Sequence, residues 1–189
     1  MNIDIILGFI SEVFEGTDKA HDFEHSYRVY INALNIMSDF QNVNREVVIL
    51  ASLLHDVADP KLFSNQINLD LWFENNPTIY ENQIRQVISE VGFSKKKKPS
   101  TIESAIVQDA DRLDAIGAIG IARVFTYGGH IDRPIFSKNF YSSISHFDEK
   151  LFKIKDMLNT QKAIDIAKKR DSYMHEFISV FEDEMEGNR

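Results

Sequence analysis

The chain contains no cysteine, which excludes a disulfide framework, a thiolate nucleophile and every cysteine-based zinc site. It also lacks a long apolar run, since no stretch approaches the ~20 residues that a membrane-spanning helix needs. The opening MNIDIILGFISEVF carries acids where a secretory signal would carry lysine or arginine. Together these absences predict a soluble protein of a reducing compartment, the cytoplasm, with no membrane partner. Positive charge is scarce as well. Lysine and arginine number 21 against 29 acids, a net charge of −8, so general electrostatic binding of a nucleic acid polymer is excluded. The one basic run, Lys95-Lys96-Lys97-Lys98 before Pro99, reads as a solvated loop. A phosphorylated substrate would need a locally basic pocket.

Sustained alternation of apolar and polar residues is missing too. Apolar residues recur instead at spacings of three and four, which predicts a nearly all-helical fold. At 189 residues one sizeable core is expected, hence a single domain over 1–189. Ile5, Ile6, Phe9, Ile10, Val13 and Phe14 make a first helical stripe with Gly16 as its cap. A second helix is predicted over 22–40, with Val29, Ala33, Leu34, Ile36 and Met37 inward. A third should cover 44–58 and stop at Asp59, because Pro60 biases its predecessor away from helical angles. A polar stretch follows, then a fourth helix over 78–91. Ser100 and Glu103 have the spacing of a capping box, which starts a fifth. The helix through GAIGIARVF should break at Gly128-Gly129, leaving a loop over 129–142, and two more helices, 144–158 and 161–185, follow.

Three segments place histidine and aspartate where plain helices rarely need them: HDFEH at 21–25, LLHDVADPK at 53–61 and QDADRLDAIG at 108–117. HDFEH is one methylene from the His-Glu-x-x-His helix of zinc peptidases. Such a peptidase would use His21 and His25 and need a third ligand downstream. His55 and Asp56 end the apolar segment Ala51-Ser52-Leu53-Leu54, and burying both unpaired would be costly. A metal ion compensates both, and so does a hydrogen-bonded structural pair. Two imidazoles with two carboxylates suit manganese, iron, cobalt, nickel or zinc, with magnesium less favoured. Asp111, read alone within DADRLD, is equally a solvated helix residue.

The ordered set His25, His55-Asp56, Asp111 resembles the HD-domain metal-dependent phosphohydrolase superfamily, over residues 17–130. The resemblance implies a compact all-α helical bundle on which the helices of 144–185 pack. It implies one divalent metal ion, manganese favoured, held by His25, His55, Asp56 and Asp111. None of the six histidines (21, 25, 55, 130, 146, 175) falls between Asp56 and Asp111, whereas two-metal members draw ligands from that interval. Arg28, one turn after His25, is placed to grip a phosphate oxygen. Asp59, one turn after His55, is placed to orient the attacking water or act as general base, and Lys61 to reach a substrate phosphate. His21 belongs to the pocket wall, and Asp114 to a ligand or a water. Arg112 reads as a surface or helix-pairing charge, His130 as a surface-loop residue, and His146 and His175 as packing or surface residues.

The block VQDADRLDAIGAIGIARVFTYGG is similar to that of stand-alone bacterial HD hydrolases. This implies a nucleotide substrate, with cleavage of a nucleoside triphosphate to monophosphate and pyrophosphate as the leading reaction. A phosphomonoesterase of the 5′-nucleotidase type and a non-catalytic nucleotide-sensing module stand as alternatives. The pattern admits a homodimer.

Overall fold

The structure, a computed structural model, describes residues 2–15, 23–57, 67–92, 97–138 and 141–188. Among these there are helices and no strand: α1 (Ile3–Val13), α2 (Phe23–Met37), α3 (Arg45–Leu54), α4 (Ile67–Asn75), α5 (Glu81–Glu90), α6 (Ile102–Asp114), α7 (Gly117–His130), α8 (Ser145–Glu149), a 3₁₀ stretch (Leu151–Met157) and α9 (Gln161–Met185). The all-helical reading of the sequence holds. No helix among the described residues is long and apolar enough to cross a membrane. The chain divides into two compact units, Met1–Asp111 and Arg112–Arg189.

The first unit is built round α3. Every residue from Val47 to Leu54 is buried, as expected of a helix that is apolar on all sides, and α1, α2 and α5 pack against it. Its start is fixed by Asn44, whose side-chain oxygen accepts from the Val47 N–H at 3.3 Å. Ile6, Ile10 and Phe14 of the first stripe are buried, whereas Ile5 faces out. Gly16 lies outside the described residues.

Three expectations for this unit need correction. First, α3 ends at Leu54 and not at 58. Proline did not decide the stop: the imidazole of His55 bonds the Ser52 carbonyl at 2.9 Å, taking an acceptor that one more helical turn would have used. Second, the polar stretch after Pro60 contains α4, with Leu69, Trp72 and Phe73 buried. Their three-and-four spacing was legible but diluted by the asparagines around it. Third, Ser100 and Glu103 form no capping box. Thr101 caps α6 by accepting from the Ser104 N–H at 3.1 Å. Ser100 instead gives its N–H and hydroxyl to the Glu90 carboxylate at 2.9 and 2.7 Å, and Glu103 accepts from the Asn44 N–H at 2.9 Å.

In the second unit α7 packs on α9, around a cluster in which Phe147, 1% exposed, meets Phe125, Phe152 and Phe177. Contrary to expectation, α7 runs through Gly128 and Gly129 to His130. Gly128 is there for close approach, since a Cβ on it would sit 2.4 Å from the Ser143 hydroxyl oxygen. The expected helix over 144–158 is two pieces, α8 and the 3₁₀ stretch. Arg112 is buried, not at the surface, and donates to the Met157 carbonyl. His130 is exposed at the end of α7, and His175 stacks on Phe152 at 3.9 Å.

Candidate metal centre

Three helices bring the candidate ligands together within the first unit. α2 supplies His25 near its start, α3 supplies His55 as its C-cap followed by Asp56, and α6 supplies Asp111. Two bonds fix the third helix against the others. The Asn32 side chain on α2 donates to the Ala110 carbonyl at 3.3 Å, one residue before Asp111. At the other end, the Asn44–Glu103 bond ties the start of α3 to the first turn of α6. Asn32 escaped the sequence reading, although it lies seven residues after His25 and so two turns along the same face.

The side chains converge on one point. The Nε2 atoms of His25 and His55 are 3.3 Å apart. His25 Nε2 lies 3.4 Å from one Asp56 oxygen and 3.5 Å from Asp111 Oδ1. His55 Nε2 lies 3.4 Å from the other Asp56 oxygen and 3.9 Å from Asp111 Oδ1. Both imidazoles are 3% exposed, while the Asp111 carboxylate is 20% exposed. His25, His55 and Asp111 each offer an atom within 4.8 Å of the others.

The protonation pattern tests whether a cation fits. The Ser52 carbonyl can only accept, so the His55 nitrogen bonded to it, Nδ1, carries the ring proton. In the neutral ring Nε2 is then a lone pair, and it faces His25 Nε2 and two carboxylates. Electron pairs aimed at one another repel unless a positive charge lies between them. Ligands each roughly 2.0–2.2 Å from one ion stand about 3–3.5 Å apart, and the spacings given above fall there or slightly wider. The backbone oxygen that orients His55 is the outer partner a metal-binding imidazole ordinarily has. The residues fit a divalent cation.

Other sequence-selected residues separate into two groups. Arg28 is on α2, one turn beyond His25 and partly buried. Asp114, which the sequence offers to a ligand or a water, is 2% exposed and accepts from the Arg123 guanidinium. His21, Asp59 and Lys61 lie outside the described residues, as does the first half of the lysine run. Lys97 and Lys98 are exposed, as a solvated loop requires.

Comparison with known proteins agrees with this geometry. Residues 22–116 match the family described as the HD domain. The chain belongs to the HD domain family. It is 32% identical over 190 residues to the uncharacterised protein YpgQ of Bacillus subtilis, covering 95% of this chain and 91% of YpgQ. The crystal structure of YpgQ in complex with ADP superposes with a TM-score of 0.83 over the whole of both chains, at 28% identity. The Lin1889 protein of Listeria innocua is 38% identical, with a TM-score of 0.80 over 98% of each chain. An HD-superfamily hydrolase from Bacillus thuringiensis is 35% identical, with a TM-score of 0.81, covering 97% of this chain and 96% of that one. This HD domain therefore has relatives that match it along nearly their full length.

Proposed function

We propose that this HD domain is a divalent-metal-dependent phosphohydrolase of nucleotides, and that it cleaves a nucleoside triphosphate to the monophosphate and pyrophosphate. The observation that carries the reading is the meeting of two imidazole nitrogens and two carboxylates at one buried point. The likeness to a hydrolase from Bacillus thuringiensis and to YpgQ, which was solved with ADP, supports the reaction class and the nucleotide.

In this reading His25, His55, Asp56 and Asp111 hold one ion, with manganese favoured by the mixed nitrogen and oxygen donors. Bound there, a divalent ion lowers the pKa of a water and draws charge from the phosphoryl oxygens. The Ser52 carbonyl keeps His55 in the tautomer that presents its lone pair. Asp59 takes a proton from the attacking water, which bonds to the α-phosphorus while the bond from that phosphorus to its bridging oxygen breaks. Arg28, Lys61 and His21 bind the phosphate oxygens as charge moves to the departing pyrophosphate. The work takes place in the cytoplasm.

The test is a screen of nucleoside triphosphates, diphosphates, monophosphates and small phosphoesters with manganese, magnesium, nickel, cobalt and zinc, with the released anion identified. Pyrophosphate from a triphosphate, lost in Asp111→Ala, is the expected result. Inorganic phosphate as the sole product would replace the reading with a phosphomonoesterase. Activity that survives Asp111→Ala would remove the site.

A further inference from the structure

The second unit holds an arginine whose charge no carboxylate answers among the described residues. Arg133 follows the end of α7, and its backbone N–H donates to the Gly128 carbonyl at 2.8 Å. Its guanidinium carbon lies 4.5 Å from the ring centre of Tyr141 and 5.5 Å from that of Tyr127. Contact with two aromatic faces fixes a guanidinium by cation–π attraction while leaving its N–H groups unspent. Nε is buried and has no hydrogen-bond partner among the described residues, and no carboxylate there pairs with the group. A buried donor left unmatched is rare enough to require a reason.

The surroundings are built and polar. Ser143 N–H donates to the Pro134 carbonyl at 2.9 Å and Ile144 N–H to the Ile135 carbonyl at 3.0 Å, which closes the segment after Arg133 onto the approach to α8. Tyr141 shares a short hydrogen bond with His146 Nδ1. Burial, with the charges of Lys150 and Arg133, holds His146 neutral down to about 4. Two cationic side chains, Lys150 and Arg133, thus act on His146, next to two rings that remain 40% and 43% exposed.

We infer that Arg133, held between Tyr127 and Tyr141 beside His146, is the centre of an oxyanion site that takes a phosphoryl group, separate in its residues from the metal centre. The guanidinium fork matches two oxygens of a phosphate or pyrophosphate, and a flat π face beside it suits a ligand whose other end is a ring. The site needs no metal ion, which separates it from the hydrolase reading.

The test is calorimetric titration of sodium pyrophosphate into the full chain in EDTA, where the metal centre carries no ion. The unaltered chain and Asp111→Ala should bind alike. Arg133→Gln should lose about tenfold or more in affinity, since charge-assisted hydrogen bonds are worth that much, and Arg133→Lys should lose affinity too, lacking the fork. In the unaltered chain, the Arg133 Nε–Hε resonance should shift on adding pyrophosphate, a readout independent of whether a variant folds. Equal binding by Arg133→Gln, loss in Asp111→Ala with retention in Arg133→Gln, an unmoved Arg133 resonance, or binding of citrate in place of pyrophosphate would each overturn the inference.

Discussion

His55 uses its two ring nitrogens differently, and that division defines the site at the scale of the residue. Nδ1 is committed to the Ser52 carbonyl at 2.9 Å, and Nε2 meets His25 Nε2 at 3.3 Å. His55→Ala should therefore lower divalent-metal affinity by more than the roughly 10–100-fold that loss of an outer partner costs. Calorimetry with manganese measures this; unchanged binding would point to a peptidase-like pair of His21 and His25. These residues were legible because type and order suffice to mark them. Asn32 and the Ser52 carbonyl were not, since the first is one polar residue among many and the second is backbone, invisible to side-chain patterns. His146 carries a separate prediction. Burial first, then Lys150 and Arg133, lowers its pKa from 6.5 to about 4. The unfolded chain gains a proton near 6.5 that the fold resists, so His146 contributes stability above that pH and loses it as pH falls towards about 4. Its ring resonances should titrate near 4, and His146→Gln should flatten that part of the stability profile.

At the scale of the element, the errors of sequence reading share one cause: local signals were outbid by longer-range bonds. Ser100 had the right spacing to cap α6, but the Glu90 carboxylate takes both its donors. That attachment answers a buried acid. Burial alone raises the pKa of Glu90, and the polar groups around its carboxylate, among them the Ser100 N–H and hydroxyl that donate to it, overcome this and hold it below its ordinary value. The two hydroxyls next to each other consequently do different jobs. Thr101→Ala removes an N-cap and should cost about 1 kcal/mol in denaturant unfolding. Ser100→Ala should leave the helix start intact and weaken the acid-side stability that Glu90 provides, which is present above its ordinary carboxyl range and fades as pH falls through its lowered pKa. Equal effects of the two variants at neutral and acid pH would contradict this assignment. α2 was legible because a single buried face imposes three-and-four spacing on it, and α3 because burial on every side keeps it apolar. α4 and the division of 144–158 were not, because short elements take their limits from what they pack against.

At the scale of the whole molecule, ligand binding and stability are one quantity. A metal that binds only the folded chain should stabilise it by about 2.7 kcal/mol at a hundred times its dissociation constant. Manganese should accordingly raise Tm in the unaltered chain and leave Asp111→Ala unmoved, as thermal unfolding with and without EDTA will show. Apolar spacing along the chain foretold the all-helical class, a property to which every residue contributes. The division into two compact units was not legible, because its boundary falls inside α6 at Asp111, where no proline, glycine or change in composition marks it. The early stop of α3 has one more consequence, in time and not in energy. Val57 N–H donates to the Leu54 carbonyl at 3.3 Å, one residue after the candidate ligand Asp56. Its amide should exchange with deuterium ahead of those inside α3, and manganese should slow it, making this single amide a clock for occupancy of the centre.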